Sequence, residues 1–352
     1  MMYVFLIIAG IILQIVGADI LVKQGICFAK TTKNSMFNTA ILLGISGAAG
    51  WNIVNAILCG EQHQTQNVMT TSVMGSLFMI LLILGVCAMT GKMKIPRGTM
   101  EREFSYLIIV AIVVLYLSAD YLFHGKRAVR VVSRVDGIIL IIFFIYYIYM
   151  TGKITRKMVK DNENVKIESA LLLKCGCSIV VIICGSLLLS CGWNGMKNVI
   201  SLTASEGVVD YSAAIMMGVL PALWISVFAW KQGKQDYVIG NVIGCSIVNL
   251  TIAVGAAAVI SPIMVSVSEI YDMIALCCSA VCVWIFAYKN NELQRIHGCV
   301  MATMFVAYVV YRILSERSIR ILNVLLHYKI IPAILQTLSI LHICRIESVS
   351  CY

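Results

Sequence analysis

A chain of 352 residues that is 60% hydrophobic, 12% charged and +10 in formal net charge is not a soluble globular protein, where about 25% of residues carry charge. Lys and Arg fall mainly in short gaps between apolar runs and no basic face alternates with aromatics, which excludes nucleic acid as a partner and leaves the lipid bilayer. The 14 cysteines form neither a disulfide framework nor a zinc pattern, since most lie within apolar runs and Cys175-Gly176-Cys177 has the wrong spacing.

In chain order, a membrane-length window finds ten apolar segments, at 3–22, 38–59, 68–90, 105–122, 136–151, 167–191, 208–230, 236–260, 268–289 and 293–314. The first is too long and too poor in N-terminal charge to read as a cleaved signal. All ten are expected to be helical, because an open sheet edge cannot be satisfied in lipid. The fold class is therefore all-α and polytopic. Gaps after odd-numbered segments hold most of the cations: Lys23, Lys30 and Lys33, then Lys92, Lys94, Arg97 and Arg102. Further along come Lys153, Arg156, Lys157, Lys160 and Lys166, then Lys231 and Lys234, and last Lys289 and Arg295. The positive-inside rule makes those gaps cytoplasmic and puts the N-terminus outside an integral plasma (inner) membrane protein. Lys126, Arg127, Arg130 and Arg134, between segments 4 and 5, run against that orientation.

The longest polar gap divides the segments into five and five. Since five is odd, two homologous halves would be inverted relative to each other, the architecture of many secondary transporters. An ungapped echo supports duplication: Val73–Gly85 aligns with Ile243–Gly255, placing Ser76 on Ser246 at an offset of 170 (246 − 76). A second echo joins the Arg-x-x-Gly helix openings at Arg134 and Arg295. The expected organisation is residues 1–151 as a first five-helix repeat, 152–166 as a cytoplasmic linker, 167–314 as the inverted second repeat and 315–352 as an apolar tail. That tail suits either an eleventh, proline-interrupted span or an interfacial helix.

These residues also resemble a known family. "IVGADILVKQG" at Ile15–Gly25 looks like the first-helix signature of the bacterial branch of the sodium/calcium exchanger family, within the cation/calcium antiporter superfamily. "GNVIGCSIVN" at Gly240–Asn249 is similar to the family's second-repeat motif Gly-Asn-Val-Ile-Gly-Ser-Asn-Ile-Phe-Asn. The resemblance spans about residues 5–314 and implies ten helices, with helices 2, 3, 7 and 8 around a midplane cation site. It also implies a Glu from each repeat within Gly-Thr-Ser-Leu-Pro-Glu, beside that motif's Thr and Ser. Here the second copy reads Met217-Gly218-Val219-Leu220-Pro221-Ala222, so Ala222 replaces the glutamate, and subtracting 170 lands on Asn52 (222 − 170). The family's Gly-Ser-Asn and final Asn correspond to Met74, Gly75, Ser76 and Met79 in the third helix. In the eighth they are Gly244, Cys245, Ser246 and Asn249.

The ion-binding candidates are accordingly Asn52, Ser76, Asn241, Ser246 and Asn249, with Asn55 and Ser226 in the wider polar inventory and Pro221 as a helix break that frees a carbonyl. The alternative for these amides and hydroxyls is interhelical hydrogen bonding, and for Gly240, Gly244 and Gly255 close packing. Asp19 matches the family's first-helix Asp and need not be a ligand. Asp210, Glu269 and Asp272 are expected at helix starts, in water. No Gly-Lys-Ser/Thr phosphate loop and no metal-spaced histidine set occur, so no cofactor and no enzymatic reaction is expected. The implied function is secondary antiport, with calcium, sodium or protons as the cation. A binding-deficient scaffold or regulatory relative, or a carrier of a different small solute, are the alternatives.

Overall fold

The computed structural model describes residues 2–32, 35–63, 65–95, 98, 100–119, 131–160, 169–200 and 218–327. Helices dominate: α1 (Met2–Thr31), α2 (Met36–Gly47), α3 (Gly50–Glu61), α4 (Gln66–Phe78), α5 (Leu84–Thr90), α6 (Ser105–Ser118), α7 (Arg134–Lys160) and α8 (Ser169–Ile200) come first. Then follow α9 (Leu220–Lys231), α10 (Gln235–Val248), α11 (Val254–Ile260), α12 (Val267–Asn290) and α13 (Arg295–His327). The strands are two-residue pieces: β1 (Met93–Lys94), β2 (Val131–Val132), β3 (Ile263–Met264) and β4 (Glu292–Leu293). The fold is all-α and polytopic.

Among the described residues, seven helical stretches are long and apolar enough to cross a membrane: 2–31, 36–61, 67–90, 134–153, 169–196, 235–260 and 267–288. Three of the ten expected spans fall outside that set. The fourth is short because its helical core, α6, starts only at Ser105, after a π-helical turn over Met100–Phe104. The seventh is described only from Gly218, with its helix α9 beginning at Leu220, so its first part lies outside the described residues. The tenth runs on without interruption past residue 314, as α13 reaches His327; the rest of the expected tail is outside the described residues.

Element bounds recur between the halves. α3 and α9 start and end 170 residues apart (220 − 50 and 231 − 61), as do α5 and α11 (254 − 84 and 260 − 90) and β1 and β3 (263 − 93 and 264 − 94). Two further π-helical turns, Met79–Ile83 and Asn249–Ala253, obey the same offset (249 − 79 and 253 − 83). The strands pair reciprocally and antiparallel, β1 of one half with β4 of the other, and β2 with β3. α3 ends beside the start of α4, whereas α9 ends with Trp230 packed over Gly91, just past the end of α5. The two therefore run in opposite directions along the α4–α5 rod.

Loop contacts sort the gaps onto two faces. On one, β1 and β4 meet and the Lys94 N–H donates to Gln235 Oε1 at 3.3 Å, bringing together gaps after the third, seventh and ninth segments. On the other, β2 meets β3, His63 Nδ1 lies 3.1 Å from Ser261 Oγ, and Thr65 Oγ1 donates to the Pro262 carbonyl at 3.2 Å. The gaps after segments 3, 7 and 9 thus group on one face and those after segments 2, 4 and 8 on another, and Lys92, Lys94, Lys231, Lys234 and Arg295 belong to the first group. Of the dissenting cations, Lys126, Arg127 and Arg130 lie outside the described residues and Arg134 opens α7.

α10 is the innermost helix, with every residue from Tyr237 to Val248 buried. Glycine makes that possible: a Cβ on Gly240 would stand 2.6 Å from the Phe37 carbonyl oxygen of α2, so only a bare backbone fits. Gly85 with Gly298 and Gly137 with Gly255 form two further backbone-to-backbone crossings, and Gly10 with Gly185 joins α1 to α8. From Val306 the described residues belong to a second unit, of which the C-terminal part of α13 is described.

Candidate functional site

Two interruptions shape the middle of the molecule. α2 and α3 are separated at Ala48–Ala49, where both N–H groups turn back onto the Gly44 carbonyl. The mirror position is Gly218–Val219, a π-helical stretch that gives way to α9 at Leu220. Pro221, the second residue of α9, sits at that change of helix type, where the regular hydrogen-bond ladder is broken.

Asn52, in the first turn of α3, meets Asn249, the first residue of the second-half π-turn. Asn52 Nδ2 donates to Asn249 Oδ1 at 2.9 Å and makes a longer contact, 3.5 Å, with the Gly218 carbonyl. Both side chains are buried, Asn52 at 5% exposure and Asn249 at 0%. Asn52 Oδ1 and Asn249 Nδ2 have no protein partner. That remainder is a property of the pair: two primary amides sharing a single hydrogen bond leave one oxygen and one NH2 over, whichever way each amide is turned. Small residues border them. A Cβ on Gly218 would sit 3.7 Å from the Asn52 amide atoms, and one on Gly75 3.7 Å from Asn249 Nδ2. Both are ordinary contact distances, so each glycine leaves about a methyl group of room beside the amides.

Asn241 is a different kind of residue. Its Nδ2 donates to the Ala222 carbonyl at 2.9 Å and to Ser226 Oγ at 3.0 Å, while its Oδ1 accepts from Cys245 Sγ at 3.6 Å. Its hydrogen-bonding groups are engaged, and it ties α10 to α9. Gly44 admits it, since a Cβ there would stand 2.7 Å from Asn241 Oδ1. The bland reading, interhelical hydrogen bonding, describes Asn241.

Ser76 and Ser246 meet at the crossing of α4 and α10, as their sequence echo implies. Each hydroxyl donates to its own helix, Ser76 to the Ser72 carbonyl at 2.7 Å and Ser246 to the Val242 carbonyl at 2.8 Å. A longer contact, 3.5 Å, links Ser76 Oγ to the Ser246 carbonyl. The donors are used, and the oxygen lone pairs remain as neutral acceptors. Asn55 stays out of this group, accepting only a long contact from Cys59 Sγ at 3.9 Å. Ala222 and Met79, which mirror Asn52 and Asn249, are both fully buried.

The acidic residues divide differently from expectation. Asp19 forms an exposed pair with Lys23 at 2.6 Å, and Asp210 is outside the described residues. Glu269 and Asp272 are not in water before the helix but inside the first two turns of α12, at 3% and 1% exposure. The reason for Glu269 is local: it completes a capping box with Ser266 and accepts from Thr70 Oγ1 of α4 at 2.9 Å. Glu103 is a buried acid that sequence reasoning missed. It lies in the π-turn before α6 at 1% exposure, its Oε1 2.6 Å from Arg102 Nη2 and its Oε2 buried without a partner. Its signal was "EREF", a charged tetrad at the very edge of an apolar run. Among the described residues no carboxylate bonds to Asn52, Asn241 or Asn249, and no cluster of three His, Cys, Asp or Glu could hold a metal.

Comparison with known proteins agrees with the fold. The sequence profile described as "Sodium/calcium exchanger protein" matches residues 2–153 and 172–314. The Escherichia coli inner membrane protein YrbG is 24% identical over 73% of this chain and 79% of its own length. The sodium/calcium exchanger MaX1 of Methanosarcina acetivorans is 22% identical over 87% of this chain and 97% of its own. A solved structure of the sodium-calcium exchanger NCX_Mj, soaked with 10 mM Na+ and zero Ca2+, superposes with a TM-score of 0.70 at 20% identity. It covers 88% of this chain and 98% of that one, a likeness of fold.

Proposed function

Because the chain belongs to the sodium/calcium exchanger family, we propose that it is a secondary-active cation antiporter, working by alternating access at a site between its two halves near the membrane midplane. The observation that carries this reading is the Asn52–Asn249 pair: one amide from each half, both buried, with an oxygen to spare beside Gly218. A dehydrated cation needs several oxygens to replace its water. Asn52 Oδ1, the Gly218 carbonyl and the lone pairs of Ser76 and Ser246 supply neutral ones. Because the pair bridges the halves, a cation that draws its amide oxygens away from each other changes how the halves hold together. That is the coupling that alternating access requires: ligand binding must favour one arrangement over another.

The reciprocal strand pairs support an inverted relation between the halves, and the five-plus-five segment count matches it. We place the lysine-bearing odd gaps in the cytoplasm and the N-terminus outside, in the plasma or inner membrane. The same hydrogen bonds favour a second reading, a relative that no longer binds ions, since the amides partly satisfy one another. Flux decides between the two. Purified protein in liposomes should exchange a labelled cation against an opposing cation gradient, and Asn52→Ala or Asn249→Ala should abolish the exchange. Uptake and calorimetric binding equal to protein-free vesicles, for sodium and calcium alike, would leave the second reading standing.

A further inference from the structure

We infer that the central site takes a monovalent cation of about sodium's size and excludes calcium. This rests on the antiporter reading and narrows it to a substrate class.

Charge carries the inference. Among the described residues, every oxygen bonded to or facing the Asn52–Asn249 pair is neutral: two amide oxygens and the Gly218 carbonyl. No described carboxylate bonds to the pair, and buried Asp272 stands in α12 beyond Glu269. Glu269 caps α12, Glu103 pairs with Arg102, Asp19 pairs with Lys23, and Asp136 accepts from the Ser133 backbone and hydroxyl at the start of α7. The penalty for moving an ion from water into a low-dielectric interior grows with the square of its charge, so it is about fourfold larger for calcium than for sodium. Calcium sites meet it with at least one carboxylate among six to eight oxygens. Neutral carbonyl oxygens alone suffice for a monovalent ion, as in potassium-channel filters.

Geometry points the same way. The spare oxygen belongs to a side chain 95% buried, by its 5% exposure, and Gly218 leaves room beside it.

The test measures sodium and calcium uptake in parallel, in liposomes holding the full chain, under the same opposing gradient. Saturable sodium uptake is expected, with calcium uptake equal to that of protein-free vesicles. Asn52→Ala should lower sodium uptake at least tenfold. Asn52→Asp, which adds a charge at nearly constant shape, should raise calcium uptake at least tenfold above the unmutated protein. Calcium uptake by the unmutated protein at a rate comparable to sodium overturns the inference and leaves antiport intact. A folded Asn52→Asp protein with no calcium uptake also overturns it. If neither ion moves in the unmutated protein, antiport itself fails, and the inference with it. Should Asn52→Asp not fold, Ala222→Asp at the mirror position is the second variant. Ion-induced thermal shifts of the unmutated protein, expected with sodium and absent with calcium, read the same discrimination without any variant.

Discussion

The two halves of the central crossing share a skeleton and differ in chemistry. α3 and α9 have identical bounds after a shift of 170 residues, and so do the two π-turns that follow Phe78 and Val248. Yet where the first half carries Asn52 the second carries Ala222, and where the second carries Asn249 the first carries Met79. Polarity survives on one diagonal only. Backbone geometry here depends on glycine contacts and burial, which tolerate almost any neutral side chain at the mirrored positions. The ligand chemistry has no such tolerance. Frame and polar groups can therefore diverge independently: both halves keep the frame, and each keeps an amide at only one of the two mirrored positions.

Two glycines on neighbouring helices test that separation most severely. Gly240→Ala drives a Cβ to within 2.6 Å of the Phe37 carbonyl oxygen and 3.0 Å of the Ala40 Cβ, contacts that only a backbone shift can relieve. Overpacking of this kind costs about 1–3 kcal/mol or more, and loss of monodisperse protein in detergent is the expected readout. Gly75→Ala meets nothing closer than 3.7 Å and should leave the melting temperature within a few degrees. It should nonetheless depress cation uptake, because the methyl occupies the room beside Asn249. If both variants fold and transport alike, frame and site are not separate.

The amide diagonal gives the next effect in size. Removing one partner strands the other in a buried place, so Asn52→Ala and Asn249→Ala should each destabilise by about 1–3 kcal/mol. Replacing both by leucine removes the stranded group. The double variant should therefore recover much of that stability in thermal melts while remaining inactive in flux. Additive destabilisation would show that the two amides do not depend on each other. At the face where β2 meets β3, Ser266→Ala removes the N-cap of α12 and should cost about 1 kcal/mol, visible as a lower melting temperature with uptake unchanged.

Much of the frame was legible in the sequence because helical spans and duplication are one-dimensional signals. The Ser76–Ser246 echo put the right helices in register, and the structure brings those serines within 3.5 Å. What could not be read is which polar group meets which. Asn241 and Asn249 look alike in "GNVIGCSIVN", yet one has its hydrogen-bonding groups engaged by Ala222, Ser226 and Cys245 and the other keeps an amide group over. That difference depends on a neighbouring helix almost twenty residues away in one case and two hundred in the other. Glu269 was misread because a capping box buries a carboxylate at a helix start that composition alone assigns to water.

The smallest effect concerns another mirrored pair. Gly233 and His63, again 170 apart (233 − 63), both adopt a left-handed backbone, at φ of 67° and 56°. The loop after α9 uses the residue that reaches this conformation freely; the loop after α3 uses one that does not. Gly233→Ala should therefore cost about 1–2 kcal/mol, since the new Cβ meets no neighbour and only backbone strain remains. His63→Gly relieves a similar strain but loses the 3.1 Å bond to Ser261 Oγ, about 1 kcal/mol, and adds about 0.5–1 kcal/mol of chain entropy to the unfolded state. The opposing terms nearly cancel, so its melting temperature should stay within a degree or two of the parent. A clear drop would mean that the His63–Ser261 contact holds the two halves together at that face more strongly than an ordinary surface hydrogen bond. A clear rise would mean that strain at His63 is kept at the expense of stability.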